Sequence, residues 1–428
     1  MTAEIAILNR LAVSLAADSA VTLSGRAQQK VYNTVNKLFA LSKYRPVGIM
    51  VYGNAEFMGV PWETVIKIHR NSLGQQEFPR LKDYLDDFIK AIESSPALAL
   101  EGEERRFVQN TVRGYLLLIR SMITERLESA INEAGIIGED VVSRIASEII
   151  AKQGAKWEAA SLLPSIPADH EQVVLAKYGE IIAKALGEVF QEFPLSEDLK
   201  SQLLRNVTQL FTRNIFPKSV SGVVVAGFGR DDTYPSLEAI RIAGRVCGKA
   251  KYKVDQSAII SEDMGAVIVP FAQSEMVATF MEGGDPRLTK VLASFLEEVF
   301  ANSPTRVLDT LTGLGDDKKL EFLEKWKTVG SELLADYNER MRRFKREEFI
   351  DPVINAVAAL PKDELAAMAE ALVNLTSFKR KVTLETETVG GPIDVAVISK
   401  GDGFIWIKRK HYFKPELNPH FVENYFRQ

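Results

Sequence analysis

Four residues have the types and spacing to do chemistry together: Thr2, Asp18, Lys37 and Gly53. Thr2 follows the initiator Met1, and a small side chain at position 2 permits removal of that methionine. The step leaves a hydroxyl and an α-amine on one residue. The unperturbed pKa of an α-amine is about 8, so the nucleophile carries its own general base. Asp18 sits in Leu15-Ala-Ala-Asp-Ser-Ala-Val21, among apolar neighbours. A carboxylate there must be hydrogen-bonded or paired, because burying it bare costs several kcal/mol or more. Lys37 opens Lys-Leu-Phe-Ala-Leu41, and its positive charge would pair with Asp18 and favour the deprotonated base. Lys30 is its rival. Gly53 closes the run Val47-Gly-Ile-Met-Val-Tyr52, where its backbone N–H is a candidate donor to a tetrahedral oxyanion. Each residue also has an ordinary reading: a second residue, a strand-end acid bonding a turn, a solvated lysine, a turn glycine.

Other chemistries find less support. The four histidines, His69, His170, His411 and His420, are scattered without an HExxH or Cys/His spacing, so no metal is expected. Gly244-Arg-Val-Cys-Gly-Lys-Ala250 has three residues between its glycines where a P-loop has four, and Ala250 where Ser or Thr is needed. Gly227-Phe-Gly229 lacks the third glycine of a dinucleotide fingerprint, and there is no GxSxG elbow. No cofactor is expected. The run Arg340, Arg342, Arg343, Lys345, Arg346 is answered by Glu339, Glu347 and Glu348, which reads as a solvated helix face.

With 428 residues the chain can hold a large core or two to three domains. Apolar residues make up 46% and charged residues 26%, as in ordinary globular proteins. A net charge of −4 gives no global case for nucleic acid or an anionic membrane, so neither is expected as a partner. Cys247 is the one cysteine, and the start of the chain has neither a basic region nor a signal-type apolar block; a cytoplasmic protein is expected. The apolar run Tyr115-Leu-Leu-Leu-Ile119 is too short to span a bilayer.

These residues need elements to hold them. Residues 4–60 read as strands, with alternation in Ala3-Glu-Ile-Ala-Ile-Leu8 and Leu11-Ala-Val-Ser-Leu15. From Pro61 to about 214 the period becomes helical: Val108, Val112, Tyr115, Leu116, Ile119, Met122, Ile123 and Leu127 form one stripe, and 171–190 and 196–211 repeat the pattern. Strands return at 222–229, 237–243, 257–260 and 266–271. Residues 288–378 are again helical, with breaks expected near Ser303-Pro304 and Leu360-Pro361. A last pair, Val389–Ile398 and Phe404–Lys408, turns at Lys400-Gly-Asp-Gly403. This order predicts an α+β chain with two sheets face to face and helices on both outer sides. The expected division is a sandwich core of 1–60, 215–285 and 379–412, a helical insertion at 61–214, a helical expansion at 286–378, and a tail at 413–428.

Ala16-Ala-Asp18-Ser-Ala-Val-Thr22, Lys37-Leu-Phe, Tyr52-Gly53-Asn-Ala, Ser221–Gly229 and Val389-Gly-Gly-Pro-Ile-Asp-Val-Ala-Val-Ile398 resemble segments of the proteasome β-subunit family and its bacterial relative, the HslV-type peptidase. The resemblance covers about a third of the chain in three separate blocks. It implies an N-terminal-nucleophile hydrolase on a four-layer αββα sandwich, here with enlarged helical segments. It gives Thr2 the part of nucleophile, Asp18, sixteen residues on, the part of the family's acid, Lys37 that of the lysine before an apolar strand, and Gly53 that of the oxyanion glycine. It implies peptide or protein substrates, a homo-oligomer and an ATPase partner. In Glu385-Thr-Glu-Thr-Val-Gly-Gly391 the chain departs from the family, with Thr386 in place of an Asp and Val389 in place of a Ser. That departure favours a second reading, a proteasome-like scaffold without catalysis whose helical segments meet partners.

Overall fold

The computed structural model describes residues 3–24, 29–98, 100–136, 138–191, 193, 195–217, 220–310, 315–383, 390–420 and 423. Among these, the strands and helices run in chain order as follows. The N-terminal part holds β1 (Ala3–Asn9), β2 (Val13–Ala17), a ribbon of β3 (Val21–Ser24) and β4 (Gln29–Tyr32), β5 (Leu38–Ala40), β6 (Val47–Tyr52), and the short β7 (Glu56–Phe57) and β8 (Val60–Pro61). Helices α1 (Trp62–Leu73), α2 (Leu81–Ser94), α3 (Glu101–Ala134), α4 (Glu139–Glu158), α5 (His170–Val189) and α6 (Glu197–Thr208) follow. Then come β9 (Ser221–Gly227), β10 (Ser236–Val246), β11 (Lys249–Ile259) and β12 (Ala266–Ala272). The C-terminal part holds α7 (Glu275–Glu282), α8 (Pro286–Thr310), α9 (Asp316–Lys345), α10 (Asp351–Ala359), α11 (Lys362–Val382), β13 (Asp394–Ser399) and β14 (Gly403–Lys408). Helix and antiparallel sheet coexist as segregated blocks, an α+β chain. It forms two compact units, Met1–Val35 with Ile259–Gln428, and Asn36–Ala258.

The first unit is built on a sheet of order β12-β1-β2-β13-β14. Its centre is antiparallel: Ala3 to Asn9 pair with Ala272 to Ala266, and Glu4 pairs with Ala17. The alternation read in the sequence has a direct outcome. Ile5, Ile7, Ala16, Val395 and Val397 share one core with Leu365, Ala366, Ala369 and Leu372 of α11. Their neighbours Ala6, Leu8, Val13, Leu15, Ala396 and Ile398 are buried as well, so these strands are covered on both faces, with Glu4, Asn9, Ser14, Asp394 and Ser399 as the buried polar residues among them. Asp402 in the β13–β14 turn accepts from the Ser399 hydroxyl at 2.8 Å and from Lys362, which anchors the turn to the start of α11.

The expected break at Pro304 is absent: α8 continues through it. A helical proline removes the hydrogen bond to the carbonyl four residues earlier, and here that carbonyl, Phe300, accepts from Trp326 Nε1 of α9 at 2.9 Å. A tertiary bond replaces the lost local one. The expected strand from Val389 also begins later, at Asp394, because Gly390 to Ile393 run as a loop.

The second unit carries the sheet β11-β10-β9-β6-β5, with β6 antiparallel to β9 from Val47↔Gly227 to Tyr52↔Gly222. Ile49, Val51, Val223, Val225, Ile240 and Ile242 face Trp62, Val65, Ile66, Leu85 and Phe88 of α1 and α2. Helices α3 to α6 form a core of their own from the predicted stripe, with Val108, Val112, Leu116, Ile119 and Ile123 fully buried. Val246, at the end of β10, belongs to this second core.

Candidate active site

In the first unit the site is a carboxylate held by main-chain amides. Asp18 stands one residue past β2 and is 1% exposed. Its own N–H donates to the Ala3 carbonyl at 3.1 Å, and its Oδ1 accepts from the Ala3 N–H at 3.1 Å. The side chain thus adds one rung to the β1–β2 ladder. Oδ2 accepts from the N–H groups of Gly390 at 3.0 Å and Ala20 at 3.3 Å. Burial of an ionised carboxylate is tolerated when its lone pairs are used, and bonds to charged acceptors are about twice as strong as neutral ones. Both carboxylate oxygens are engaged in this way.

Ser19 extends the arrangement. Its N–H donates to the Gly390 carbonyl at 3.1 Å, and its hydroxyl donates to the Pro392 carbonyl. Asp18-Ser19 and Gly390–Pro392 are therefore joined side by side. Gly391 explains why the loop needs glycine: its φ is +78°, and a Cβ there would lie 2.7 Å from the Asn33 carbonyl oxygen. Ser19 and Gly390 were not singled out as site residues by sequence reasoning. The signal was a serine directly after a strand-end acid, a pairing that favours bonds to nearby backbone.

In the second unit Lys37 and Gly53 lie at the same end of the antiparallel β5–β6 pair. Lys37 is 3% exposed, precedes β5, and its carbonyl accepts from the Val51 N–H at 2.9 Å. Gly53 directly follows β6 with φ +83°, and a Cβ there would overlap the Val220 carbonyl oxygen. The glycine is required twice over, by its backbone angle and by the closeness of the chain before β9. Tyr52 beside it lays its ring across Gly222, where a Cβ would run into the ring. Trp62 Nε1 donates to the Ser221 hydroxyl at 3.0 Å and fixes the start of β9 against α1.

Of the sequence-derived site residues, Asp18 belongs to the first unit, and Lys37 and Gly53 to the second. Thr2 lies outside the described residues, as do the side chain of Lys30 and the segment 384–389 with Thr386 and Val389. Ala3, which follows Thr2 in the chain, is described and is the residue Asp18 holds.

Two further polar centres in the second unit escaped sequence reasoning. Glu104 of α3 is buried and accepts from Tyr178 Oη at 2.6 Å, the Cys247 N–H at 2.9 Å and Lys177 Nζ at 3.1 Å. Burial opposes its charge, yet these bonds outweigh it and hold its carboxyl below the usual range. Burial, then the bond to Glu104, pushes the Tyr178 hydroxyl up to about 12. This cluster locks α3 and α5 to the β10–β11 turn, where Cys247 is held at φ +49°. Lys251 of β11 is 4% exposed, donates to the carbonyls of Leu210 and Ile215, and lies 4.8 Å from the Phe216 ring centroid. Burial brings its pKa down to about 7. Both centres join segments distant in sequence, so no local motif announces them. Among the described residues no group of three or more His, Cys, Asp or Glu side chains converges as a metal site would.

No protein-family model matches the chain, and no curated protein matches it.

Proposed function

We propose that the chain is an N-terminal-threonine hydrolase on a proteasome-like αββα sandwich, cleaving peptide or other amide bonds through an acyl ester on Thr2. In this reading 61–214 and 286–378 are helical expansions of the sandwich. The observation that carries it is the buried Asp18 carboxylate, which holds the Ala3 amide at 3.1 Å, next in the chain to Thr2, together with the Gly390 amide at 3.0 Å. A mere strand-end acid has no need of amides from both the first strand and a glycine loop 372 residues away.

The reaction follows from the residue types. After Met1 is removed, the Thr2 amine takes the proton of the Thr2 hydroxyl, directly or through a water, while the oxygen attacks the amide carbonyl. The amine then passes that proton to the departing nitrogen, the C–N bond breaks, and an ester remains on Thr2. Water, deprotonated by the same amine, attacks the ester, releases the acid and restores the hydroxyl. The resemblance gives Lys37 the part of keeping the amine neutral and Gly53 that of N–H donor to the oxyanion, a donor worth about 3 kcal/mol in the transition state. A homo-oligomer in the cytoplasm, with an ATPase delivering unfolded substrate, belongs to the same proposal.

The second reading, a non-catalytic scaffold, is favoured by α8, whose outer face exposes Leu288, Val291, Leu292, Phe295 and Val299. Intact mass before and after incubation with a β-lactone decides between the two. Loss of Met1 and one adduct, absent in Thr2→Ala, supports the hydrolase. Retained Met1, or no adduct on the wild-type chain, refutes it and leaves the scaffold.

A further inference from the structure

Helix α8 has two faces with different surroundings. One meets α9: Thr289, Ala293, Glu297, Phe300 and Pro304 line the groove between the two helices, and the Phe300 carbonyl takes the Trp326 bond. On the opposite side stand Leu288, Val291, Leu292, Phe295 and Val299, which are 58, 65, 44, 60 and 36% exposed. At 100° per residue these five fall in one stripe about 100° wide. Among the described residues nothing covers it. An apolar stripe of this kind on an exposed helix marks an interaction surface.

The order of the residues says what fits it. Leu288, Leu292, Phe295 and Val299 are spaced four, three and four, a pattern that reads the same in both directions. A second copy of α8 can therefore lie antiparallel on the first, with a two-fold axis between Ala293 and Ser294. Leu288 then meets Val299 of the other copy, and Leu292 meets its Phe295. Large and smaller side chains alternate across the contact, as close packing requires. The five side chains expose on the order of 500 Å² per chain, so the pair would bury roughly 1,000 Å² before its rim is counted, the lower bound for a specific interface.

The charges agree with the antiparallel arrangement. Arg287 and Glu298 are eleven residues apart, three turns, and so share one flank at opposite ends of the stripe. A two-fold axis across the helices keeps that flank on its own side. Glu298 of each chain thus comes to Arg287 of the other. Parallel packing would set Glu298 on Glu298 and Arg287 on Arg287, which like charges oppose. Arg287 gives Nε and Nη2 to Asp285 at 3.2 and 2.8 Å, and its side chain is 60% exposed. Its Nη1 protons remain for a second carboxylate. Glu298 is exposed and, among the described residues, forms no salt bridge.

We propose that the α8 stripe is a homodimer interface, in which two copies of this chain pair their α8 helices antiparallel about a two-fold axis. The homo-oligomer proposed above thereby gains a surface and a symmetry. The interface rests on the stripe and not on the chemistry of Thr2, so the two are refuted separately, one by the mass of the assembly and the other by the missing adduct. The full-length chain is followed by analytical ultracentrifugation across concentration. A monomer–dimer equilibrium is expected, with Kd on the order of 10 μM or tighter. Phe295→Glu should leave the far-UV circular dichroism unchanged and weaken the dimer at least about a hundredfold, because two carboxylates then enter the apolar centre. Orientation is read by oxidation in a Cys247→Ser background. Leu288→Cys and Val299→Cys on one chain should join two chains by disulfides. Each alone should not, since copies of position 288, like copies of position 299, then lie about 16 Å apart along the helices, beyond disulfide reach. A monomer at every concentration would overturn the interface and leave the stripe to a different protein. So would a dimer indifferent to Phe295→Glu, or disulfides that form in a single variant or fail to form in the double one.

Discussion

Replacing Asp18 by asparagine keeps the shape of the side chain and removes its charge, which makes it the sharpest probe of the site. Among the described residues the aspartate accepts main-chain N–H bonds from Ala3 on one oxygen and from Ala20 and Gly390 on the other. Asparagine has one oxygen. Its better orientation aims that oxygen at Ala20 and Gly390 and leaves an amide NH₂ facing the Ala3 N–H. One buried donor then lacks an acceptor, a cost of about 1–3 kcal/mol, and two charge-assisted bonds become neutral ones at about 1 kcal/mol each. Relief of the buried charge offsets part of this, so the net loss is about 3 kcal/mol. The readout is amide exchange followed by mass spectrometry in peptides covering 3–8 and 390–395. Local opening should become roughly a hundredfold easier, since about 1.4 kcal/mol is one decade, while α3 to α6 in the other unit should exchange as before. Unchanged exchange in both peptides would refute the reading of Asp18 as the tie between β1 and the glycine loop.

Gly53→Ala should destabilise the second unit by at least about 2 kcal/mol, because φ is +83° and the added carbon would overlap the Val220 carbonyl oxygen; a urea midpoint like that of wild type would contradict this. Lys251 makes a pH prediction. Its pKa is about 7 in the fold against 10.5 as the ordinary value, so between these limits the unfolded chain binds the extra proton and unfolding free energy rises with pH. The slope from this one group approaches about 1.4 kcal/mol per pH unit, and Lys251→Met should flatten it in urea titrations between pH 7 and 10. An identical slope in the variant would sink the assignment. Trp326→Phe leaves the Phe300 carbonyl without the donor that compensates Pro304, so exchange within α8 should quicken by about tenfold, from a loss of about 1–2 kcal/mol. Unaltered exchange around 298–306 would show that the tryptophan bond is dispensable.

How much of this was legible beforehand differs from element to element. The helical stripe from Val108 to Leu127 depends on side-chain period alone, and the helix follows it. The hairpin at Gly401-Asp402-Gly403 was equally local. Asp18 shows the limit. Its apolar neighbours required that the carboxylate be satisfied, but the sequence does not say that the donors are Ala3, Ala20 and Gly390. Pro304 misled for the same reason: proline's cost is local, while its remedy is Trp326 on another helix.

The sequence by itself determined the periods of the elements, the α+β order, the turn glycine at 53, and the need for a partner at Asp18. These are consequences of bonding geometry and desolvation that act within a few residues. Tertiary structure alone decided which groups answer each other: Glu104 with Tyr178, Lys251 with the carbonyls of Leu210 and Ile215, and Gln273 with Arg380. Those pairs depend on where the chain returns after tens to hundreds of residues. Burial makes a partner obligatory without specifying it, and only the packing of the elements chooses.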